Sequence, residues 1–356
     1  MIAKTVTLAV LLFVAGQGVA ATVFPADTVT TDTVKAEKKV VKHECCADTT
    51  VTDHKDPYHK LVKEGGSVHE GLFTVRHIKD NWYLEVPESL LGRMLLAVTR
   101  FSGVPQDFKL LSGEEVNNST IYLERYGEKT LLLREYVQSQ FAKPQSSIGS
   151  SLQQSVSDPI VYKFDIIGRN PHNKAMLVDI TKWVQSDNKV TSFSASDRTI
   201  VGVGALQNDR SFIDTIKTYP INVEIQTLRT YAMTAGRAPT SRSGSATLRM
   251  NTSIVLLPEE PMQMRLADER VGYFNDRRTL FSDDDAPEHD AVISRYRLEP
   301  KDPKAYKAGK LVEPKQQIVF YIDPATPMQW APYLKAGIND WNVAFEAAGF
   351  KNAIVA

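Results

Sequence analysis

The chain has 356 residues, of which 42% are hydrophobic and 24% charged, a composition typical of globular proteins with room for two or three domains. Lys plus Arg and Asp plus Glu are equal at 42 each, so no net basic charge indicates a nucleic-acid partner. With only two cysteines, the chain is not a scaffold held together by several disulfides.

The N-terminus has the pattern of a secretory signal. Lys4 precedes an apolar run over residues 6–14, and small residues follow through Ala20 and Ala21. This run is shorter than the roughly 20 apolar residues that span a bilayer. Residues 1–21 are therefore predicted to be a cleaved signal peptide. The mature protein is expected in the periplasm, at the cell surface or outside the cell, with no stable membrane anchor.

Residues 22–57 are predicted to be a disordered leader, because they are rich in Thr, Asp, Lys and Val and contain one aromatic side chain, Phe24. The adjacent Cys45 and Cys46 lie in this leader, and neighbouring cysteines rarely bridge each other without strain. The favoured interpretation is two exposed thiols. A thiolate that masks a catalytic zinc in a precursor is the alternative.

Residues 58–104 are predicted to form a small β-hairpin module. Residues 71–78 and 82–86 have strand composition and flank a turn, and 87–92 reads as a short helical turn that ends at a glycine. The nearly continuous apolar run at 94–101 predicts a buried strand.

A larger β-rich domain is predicted at 105–299, with a hairpin formed by 120–126 and 130–136 around a glycine-containing loop. Further predicted strands are 160–167, 175–178, 222–232, 246–257 and 291–298, with surface loops at 138–157 and 234–245. Residues 300–316 are rich in proline and lysine and are predicted to be a linker. The predicted fold class is α+β, with antiparallel, β-rich N-terminal domains.

The last segment, 317–356, has the pattern of strand, helix and strand. Thr326 and Pro327 are typical of a helix start, and Gly349 suits the left-handed position after a helix end, where Phe350 can fold back onto Phe345. Apolar residues recur at helical spacing at Trp330, Tyr333, Leu334, Ile338, Trp341, Ala344, Phe345 and Ala348. The helix is expected to pack on a strand at 318–322 as the start of an α/β layer.

These residues resemble a known family. Y-I-D-P-A-T-P at 321–327, followed from 330 by W-x-P-Y-x-x-x-G-I-x-D-W-N-x-A-F-E-A-A-G-F-K-N-A-I, resembles the first strand and helix of secreted bacterial zinc-dependent metalloproteases of the metzincin type. Blocks at 253–258, 268–274 and 297–302 resemble the N-terminal domain of that family, and blocks at 71–75 and 89–93 resemble its leading module. The resemblance covers roughly residues 58–356.

The resemblance implies peptide-bond hydrolysis by a zinc-activated water, with zinc bound by H-E-x-x-H-x-x-G-x-x-H on a later helix. Neither His43-Glu44 nor His69-Glu70 is followed by the second histidine. The other histidines lack an i, i+4 partner: His54, His59, His77, His172 and His289. No catalytic, cofactor-binding or metal-binding residue is therefore assigned. The chain is expected to be the N-terminal portion of the enzyme, inactive alone, with zinc and a protein or peptide substrate bound by the full-length protein.

Two other functions stay open: a secreted β-rich module that binds peptide or glycan without catalysis, and an inhibitory prosegment. Some local features have competing interpretations. The acidic cluster formed by Ser282 to Asp285, Glu288 and Asp290 favours a solvated loop over a calcium site, because the alternating order of a calcium loop is missing. Gly202 and Gly204 lack the third glycine of a dinucleotide turn.

Aromatic and basic residues complete the candidates. The tryptophans are predicted to be core or half-buried anchors: Trp82, Trp183, Trp330 and Trp341. Arg270, Tyr273 and Phe274 lie in one of the blocks that resemble the family, and they fit either a substrate cleft or a domain interface.

Overall fold

The computed structural model describes residues 57–356, except 107, 109, 138–139, 143–145, 235–243 and 285. The predicted signal peptide, the leader before residue 57, and Cys45 and Cys46 lie outside the described residues. The chain divides into a larger unit, formed by the described residues of 46–138 and 150–261, and a smaller unit, formed by those of 139–149 and 262–356. Among the described helices, none has the length and apolar character needed to cross a membrane.

The larger unit is built on a twelve-stranded sheet with short helices. The helices between residues 57 and 210 are α1 (Pro57–Val62), α2 (Ser147–Ser155), α3 (Thr181–Gln185) and α4 (Ala195–Val201), with 3-10 helices at Glu88–Leu90 and Asn208–Arg210. The strands are β1 (Ser67–His69), β2 (Thr74–Ile78), β3 (Asn81–Val86), β4 (Leu95–Gly103), β5 (Glu115–Tyr126), β6 (Thr130–Glu135), β7 (Gln140–Ala142, in the smaller unit), β8 (Ile160–Arg169), β9 (Met176–Asp179), β10 (Val203–Leu206), β11 (Phe212–Thr218), β12 (Asn222–Met233) and β13 (Ser245–Leu256).

The sheet runs in the order β1-β2-β3-β9-β8-β6-β5-β4-β13-β12, with β10 and β11 both paired to β12, and its pairings are antiparallel. It curls until its ends meet. The Leu72 N–H donates to the Tyr219 carbonyl at 2.7 Å, and the Thr218 hydroxyl donates to the Phe73 carbonyl at 3.0 Å. A Cβ on Gly71 would lie 2.5 Å from Thr218 Oγ1, so this closure requires glycine.

Side chains fill the interior of the curled sheet. Two apolar clusters occupy it, one around Ile225 and Ile254 and the other around Tyr231 and Leu248. The segment from α3 to Phe193 fills the space between the strands, because its apolar residues join both clusters: Trp183, Val184 and Val190 the first, and Phe193 the second. The described interior of the curled sheet is therefore packed with side chains.

The predicted elements of the larger unit are largely confirmed. β5 and β6 form the predicted hairpin, with Gly127 at φ 65° in its turn, and Gly92 follows its 3-10 helix at φ 72°. β11 was not predicted, and the predicted loop 138–157 contains β7 and α2. The sheet is continuous across residue 104, because β3 pairs with β9 and β4 pairs with β13. The predicted module 58–104 therefore shares one sheet with the residues that follow it.

The smaller unit contains two small sheets. Its elements after β7 are β14 (Asn275–Phe281), β15 (Glu288–Ile293), α5 (Pro303–Lys307), β16 (Ile318–Val319), α6 (Ala331–Asn339), α7 (Asn342–Ala347) and β17 (Ile354–Val355). β14 pairs antiparallel with β15 and parallel with β7. β16 pairs parallel with β17, so the α+β class that the sequence predicts is observed.

Residues 300–316, predicted to be a linker, contain the short helix α5. Asp302 caps α5 by accepting from the N–H groups of Lys304 and Ala305, both at 3.0 Å. Val312 donates its N–H to the Gly349 carbonyl at 3.1 Å and joins a small apolar cluster with Phe350. The stretch is ordered because it packs against the end of α7, a contact that proline and lysine content does not reveal.

Tyr122 on β5 gives a testable pH dependence. Burial raises its pKa from 10.0 to about 12, and its hydrogen bond to Asp158 at 3.0 Å adds to the rise. The unfolded chain loses the Tyr122 proton near pH 10, while the folded protein keeps it. The contribution of Tyr122 to the free energy of unfolding is therefore complete below pH 10 and is lost as pH rises toward 12. We expect Tyr122→Phe to flatten the fall in free energy of unfolding over this range, by at most about 1.4 kcal/mol per pH unit and less after solvent screening.

Urea unfolding of both proteins at several pH values from 9 to about 12 measures the two slopes. Tyr126→Phe is the matched control on the same hairpin, because Tyr126 is 69% exposed. Other tyrosines contribute to the wild-type slope, so the difference between the variants carries the result. Identical slopes for Tyr122→Phe and wild type would contradict the assignment.

Candidate interaction surface

The described histidines lie on several elements, and His69 and His77 lie on the paired strands β1 and β2. His69 lies on β1 and His59 on α1, His77 stacks on Trp82 with ring centroids 4.1 Å apart, and His289 contacts Thr279. Residues 43, 44 and 54 lie outside the described residues. Within the described chain, no group of three His, Cys, Asp or Glu side chains is arranged to hold a metal ion.

Two acidic residues of the 282–290 stretch, Asp283 and Asp290, have separate structural partners. The Asp283 carboxylate accepts from the N–H groups of Ile148 and Ser147 at 2.9 and 3.0 Å, and these bonds lower its pKa. Asp290 lies 3.5 Å from Arg278. Asp283 therefore anchors the start of α2, where a carboxylate stabilises the free N–H groups. Gly202 ends α4 in the left-handed region at φ 77°.

The strand, helix and strand at 317–356 form one compact motif, but the helix differs from the prediction. α6 begins at Ala331, with Trp330 as its N-cap residue and no side-chain cap, and not at Thr326. Thr326 instead donates its N–H to the Asp323 carbonyl at 2.9 Å, in a turn that precedes the helix. The predicted strand 318–322 is reduced to the two residues of β16, while Gly349 has the predicted left-handed φ of 91°.

The helix is interrupted between α6 and α7, and two asparagines bind β17 at this position. Asn342 accepts from the Ala353 N–H at 2.9 Å and donates to the Ile354 carbonyl at 2.8 Å. Asn339 accepts from the Ala356 N–H at 3.1 Å. These amide contacts link the tightened turn to the strand, so the interruption positions the helices over the small parallel sheet.

An apolar stripe on α6 and its flanks remains exposed. We define the apolar stripe as Trp330, Tyr333, Leu334 and Trp341, which are 45%, 71%, 38% and 63% exposed. Their spacing places them on one helix face. Phe345 packs in the apolar cluster of Val312 and Phe350 instead. Trp82 and Trp183 are buried and Trp330 is half-buried, in agreement with the prediction of core or half-buried anchors, whereas Trp341 is more exposed than predicted.

A second exposed segment is the loop that precedes β14. The Arg270 guanidinium donates to Asp268 at 2.9 and 2.5 Å and lowers the pKa of that carboxyl to about 2. Beyond this pair, Val271, Tyr273 and Phe274 are each about half exposed, at 50%, 51% and 58%. Exposed aromatic side chains beside charged groups are more typical of an interaction surface than of a solvated loop.

Comparison with known protein families decides the classification. Residues 113–301, more than half of the chain, match a family described as Domain of unknown function (DUF5117). The chain belongs to the DUF5117 family. Residues 55–104 match a second family, Domain of unknown function (DUF5118). The DUF5117 segment extends from just before β5 to just before α5, so it includes parts of both compact units.

No curated protein and no solved structure gave a significant match to the chain. The two family descriptions state no activity. The DUF5117 segment contains the loop with Tyr273 and Phe274, whereas the apolar stripe lies after it, in residues 330–341. Both surfaces present large apolar or aromatic side chains, and the loop also carries the Asp268–Arg270 pair.

Proposed function

We propose that this chain is the N-terminal portion of an exported zinc-dependent metalloendopeptidase. In this proposal the DUF5118 and DUF5117 segments are non-catalytic domains, and residues 317–356 are the first strand, helix and second strand of the catalytic domain. The substrate is a protein or peptide. The observation that carries the proposal is the parallel β16–α6–α7–β17 motif with its exposed apolar stripe.

The apolar stripe supports the proposal because the contact of its large apolar side chains with water is unfavourable. Parallel strands occur almost entirely in sheets whose faces are covered, and a parallel pair of two residues each is too small to be a complete layer. Burying the ring of Trp341 or Tyr333 against further strands would remove on the order of 150–250 Å² of surface per ring from water. A larger α/β layer continuing from β17 would supply that cover.

Zinc enters the proposal only through the resemblance at 321–354. The described residues contain no set of side chains that fits a zinc ion, so no ligand and no catalytic step is assigned to this chain. In the full-length enzyme, an H-E-x-x-H segment would bind the metal, which would activate a water for attack on the peptide bond.

Two measurements test the proposal. The reading frame beyond codon 356 is expected to encode H-E-x-x-H-x-x-G-x-x-H, and the full-length product is expected to cleave casein unless a zinc chelator is present. A glutamine in place of the glutamate of the motif is expected to slow cleavage by about a hundredfold or more, because the general base is lost. A frame without the motif, or cleavage that a chelator leaves unchanged, would refute the proposal.

The apolar stripe supplies an independent arm of the test. Trp341→Ser is expected to destabilise the full-length protein by about 3–5 kcal/mol if Trp341 is buried there. The same change in the 356-residue chain is expected to alter the free energy of unfolding by less than about 0.5 kcal/mol, because Trp341 is exposed. Equal effects in both proteins would show that no further layer covers the stripe.

A further inference from the structure

The three-stranded sheet of the smaller unit gains a fourth segment at its β15 edge. Ala267 donates its N–H to the Ala291 carbonyl at 2.7 Å, and Ile293 donates its N–H to the Arg265 carbonyl at 3.0 Å. An isolated bridge between Leu266 and Val292 fixes this antiparallel register. The segment around 263–267, β15, β14 and β7 therefore lie side by side and share two faces.

Strand alternation places arginines but no acidic side chain of β14 and β15 on one face of this sheet, and the acidic side chains together with Arg278 on the other. Residues directly opposite each other share a face, so Arg277 lies on the face of Ala291, and Arg265 lies on that of Ile293, two residues further along. Arg295 lies two residues beyond the end of β15, and its guanidinium reaches the Gln263 carbonyl, two residues before Arg265. We call the face with Arg265, Arg277 and Arg295 the basic face. The other face contains the acidic side chains of β14 and β15: Asp276, Glu288 and Asp290.

The arginines of the basic face have no acidic partners among the described residues, since none of the ion pairs found there includes them. Asp290 pairs with Arg278 on the opposite face, and Asp268 pairs with Arg270. Arg295 donates to the Gln263 carbonyl at 2.7 Å, a neutral acceptor. Burial and the neighbouring positive charge of Arg265 both lower the pKa of Arg295, so these two guanidinium groups repel each other. An anionic ligand would relieve this repulsion.

The neighbours of the basic face favour a polypeptide as that ligand. Tyr273 precedes β14, is 51% exposed and is two residues from Asn275, which lies opposite Ile293 on this face. Arginine and tyrosine are the residue types enriched at the centres of protein–protein interfaces. The guanidinium group matches a carboxylate with two parallel hydrogen bonds, which gives geometric selectivity as well as charge attraction.

We propose that the basic face, formed by Arg265, Arg277 and Arg295, is a binding site for an acidic segment of a polypeptide. The carboxylates of the ligand accept hydrogen bonds from the three guanidinium groups, and Tyr273 contacts its apolar atoms. The site goes beyond the proposed peptidase function and does not depend on it, because binding here uses no zinc and no group of a catalytic domain.

The test measures binding of fluorescein-labelled oligo-L-glutamate to the full chain by fluorescence anisotropy at low and physiological salt. The triple variant Arg265→Gln, Arg277→Gln, Arg295→Gln is expected to raise Kd by about tenfold or more, and salt is expected to weaken wild-type binding, since the charges are exposed. The matched control removes three positive charges outside the sheet, at Lys304, Lys310 and Lys335, each changed to Gln. It is expected to change Kd by less than about twofold.

Further arms separate the alternatives. Circular dichroism and thermal unfolding check that the triple variant is folded. The triple variant Arg265→Lys, Arg277→Lys, Arg295→Lys retains the charge but loses the bidentate geometry. It is expected to bind more tightly than the Arg→Gln variant and more weakly than the wild type. Hydrogen exchange is expected to show protection of 263–267 and 288–295 on binding. The proposal is overturned if the control with Lys304, Lys310 and Lys335 changed to Gln weakens binding as much as the triple Arg→Gln variant. It is also overturned if a polyuronate binds the face while oligo-glutamate does not.

Discussion

Replacing Arg229 by methionine is expected to lower the free energy of unfolding of the larger unit by about 3–5 kcal/mol. Arg229 lies on β12, is 1% exposed, and points into the curled sheet. Its donors reach five acceptors at 2.6–3.1 Å, none of them a carboxylate: the carbonyls of Val184 and Ser186, and the hydroxyls of Thr191, Ser192 and Thr227. Methionine fills a similar volume but donates to none of these acceptors. Asn188 still donates to Ser186, Thr191 and Ser192, so the loss is largest at the Val184 carbonyl and the Thr227 hydroxyl.

Two variants bracket this result. Arg229→Lys retains the charge but supplies three donors from one atom, so we expect an intermediate loss. Arg249→Met, on an exposed position of β13, is expected to cost less than about 0.5 kcal/mol. Urea unfolding gives the free energies, and hydrogen exchange is expected to rise in residues 184–192. A loss below about 1 kcal/mol for Arg229→Met would show that this loop is held without the arginine.

Arg229 also shows where prediction from the sequence ends. Strands such as β5, β6, β12 and β13 could be predicted because their apolar residues alternate or run together. The alternation of β12 places Arg229 on the same face as Ile225 and Tyr231, but a charged side chain is not expected to be buried there without partners. Its burial depends on a loop some 40 residues earlier in the chain, and only the folded structure brings the two together. Hydrogen-bond partners supplied by distant segments are not visible in a local pattern.

The same limit applies to β14 and to the basic face. The strand reads N-D-R-R-T-L-F, a charged segment with low strand propensity, and it was not predicted. The sequence also does not show that 263–267 joins the sheet on the far side of β15, which is what brings Arg265 together with Arg277 and Arg295. Conversely, the helical spacing of the apolar stripe was visible in the sequence. Its exposure was not, because exposure depends on what packs against the helix.

The second large loss of stability is expected on replacing Glu85. Glu85 is 1% exposed on β3 and accepts from Arg76 Nε at 2.5 Å, the Tyr58 hydroxyl at 3.0 Å and Asn170 Nδ2 at 2.8 Å. Glu85→Ala is expected to lower the free energy of unfolding by about 3–5 kcal/mol, because it leaves the Arg76 cation, itself only 14% exposed, without its carboxylate. Burial and the negative charge of Glu85 both raise the pKa of Tyr58, so Tyr58 stays the donor.

The hydrogen bonds of Glu85 also hold α1 on the sheet, and two further variants distinguish their effect from that of the apolar contacts of α1. Glu85→Gln keeps the size and one acceptor oxygen but loses the charge, so we expect a smaller loss, about 1–3 kcal/mol. Gly168→Ala approaches the same contact from the other side, because a Cβ there would lie 2.8 Å from the Cβ of Tyr58. It should release α1 while leaving the Arg76–Glu85 pair intact. Limited proteolysis near residues 57–63 is therefore expected to accelerate in both Glu85→Ala and Gly168→Ala. The free energy of unfolding is expected to fall more in Glu85→Ala than in Gly168→Ala. Equal resistance of all three proteins would show that α1 is held by its apolar contacts alone.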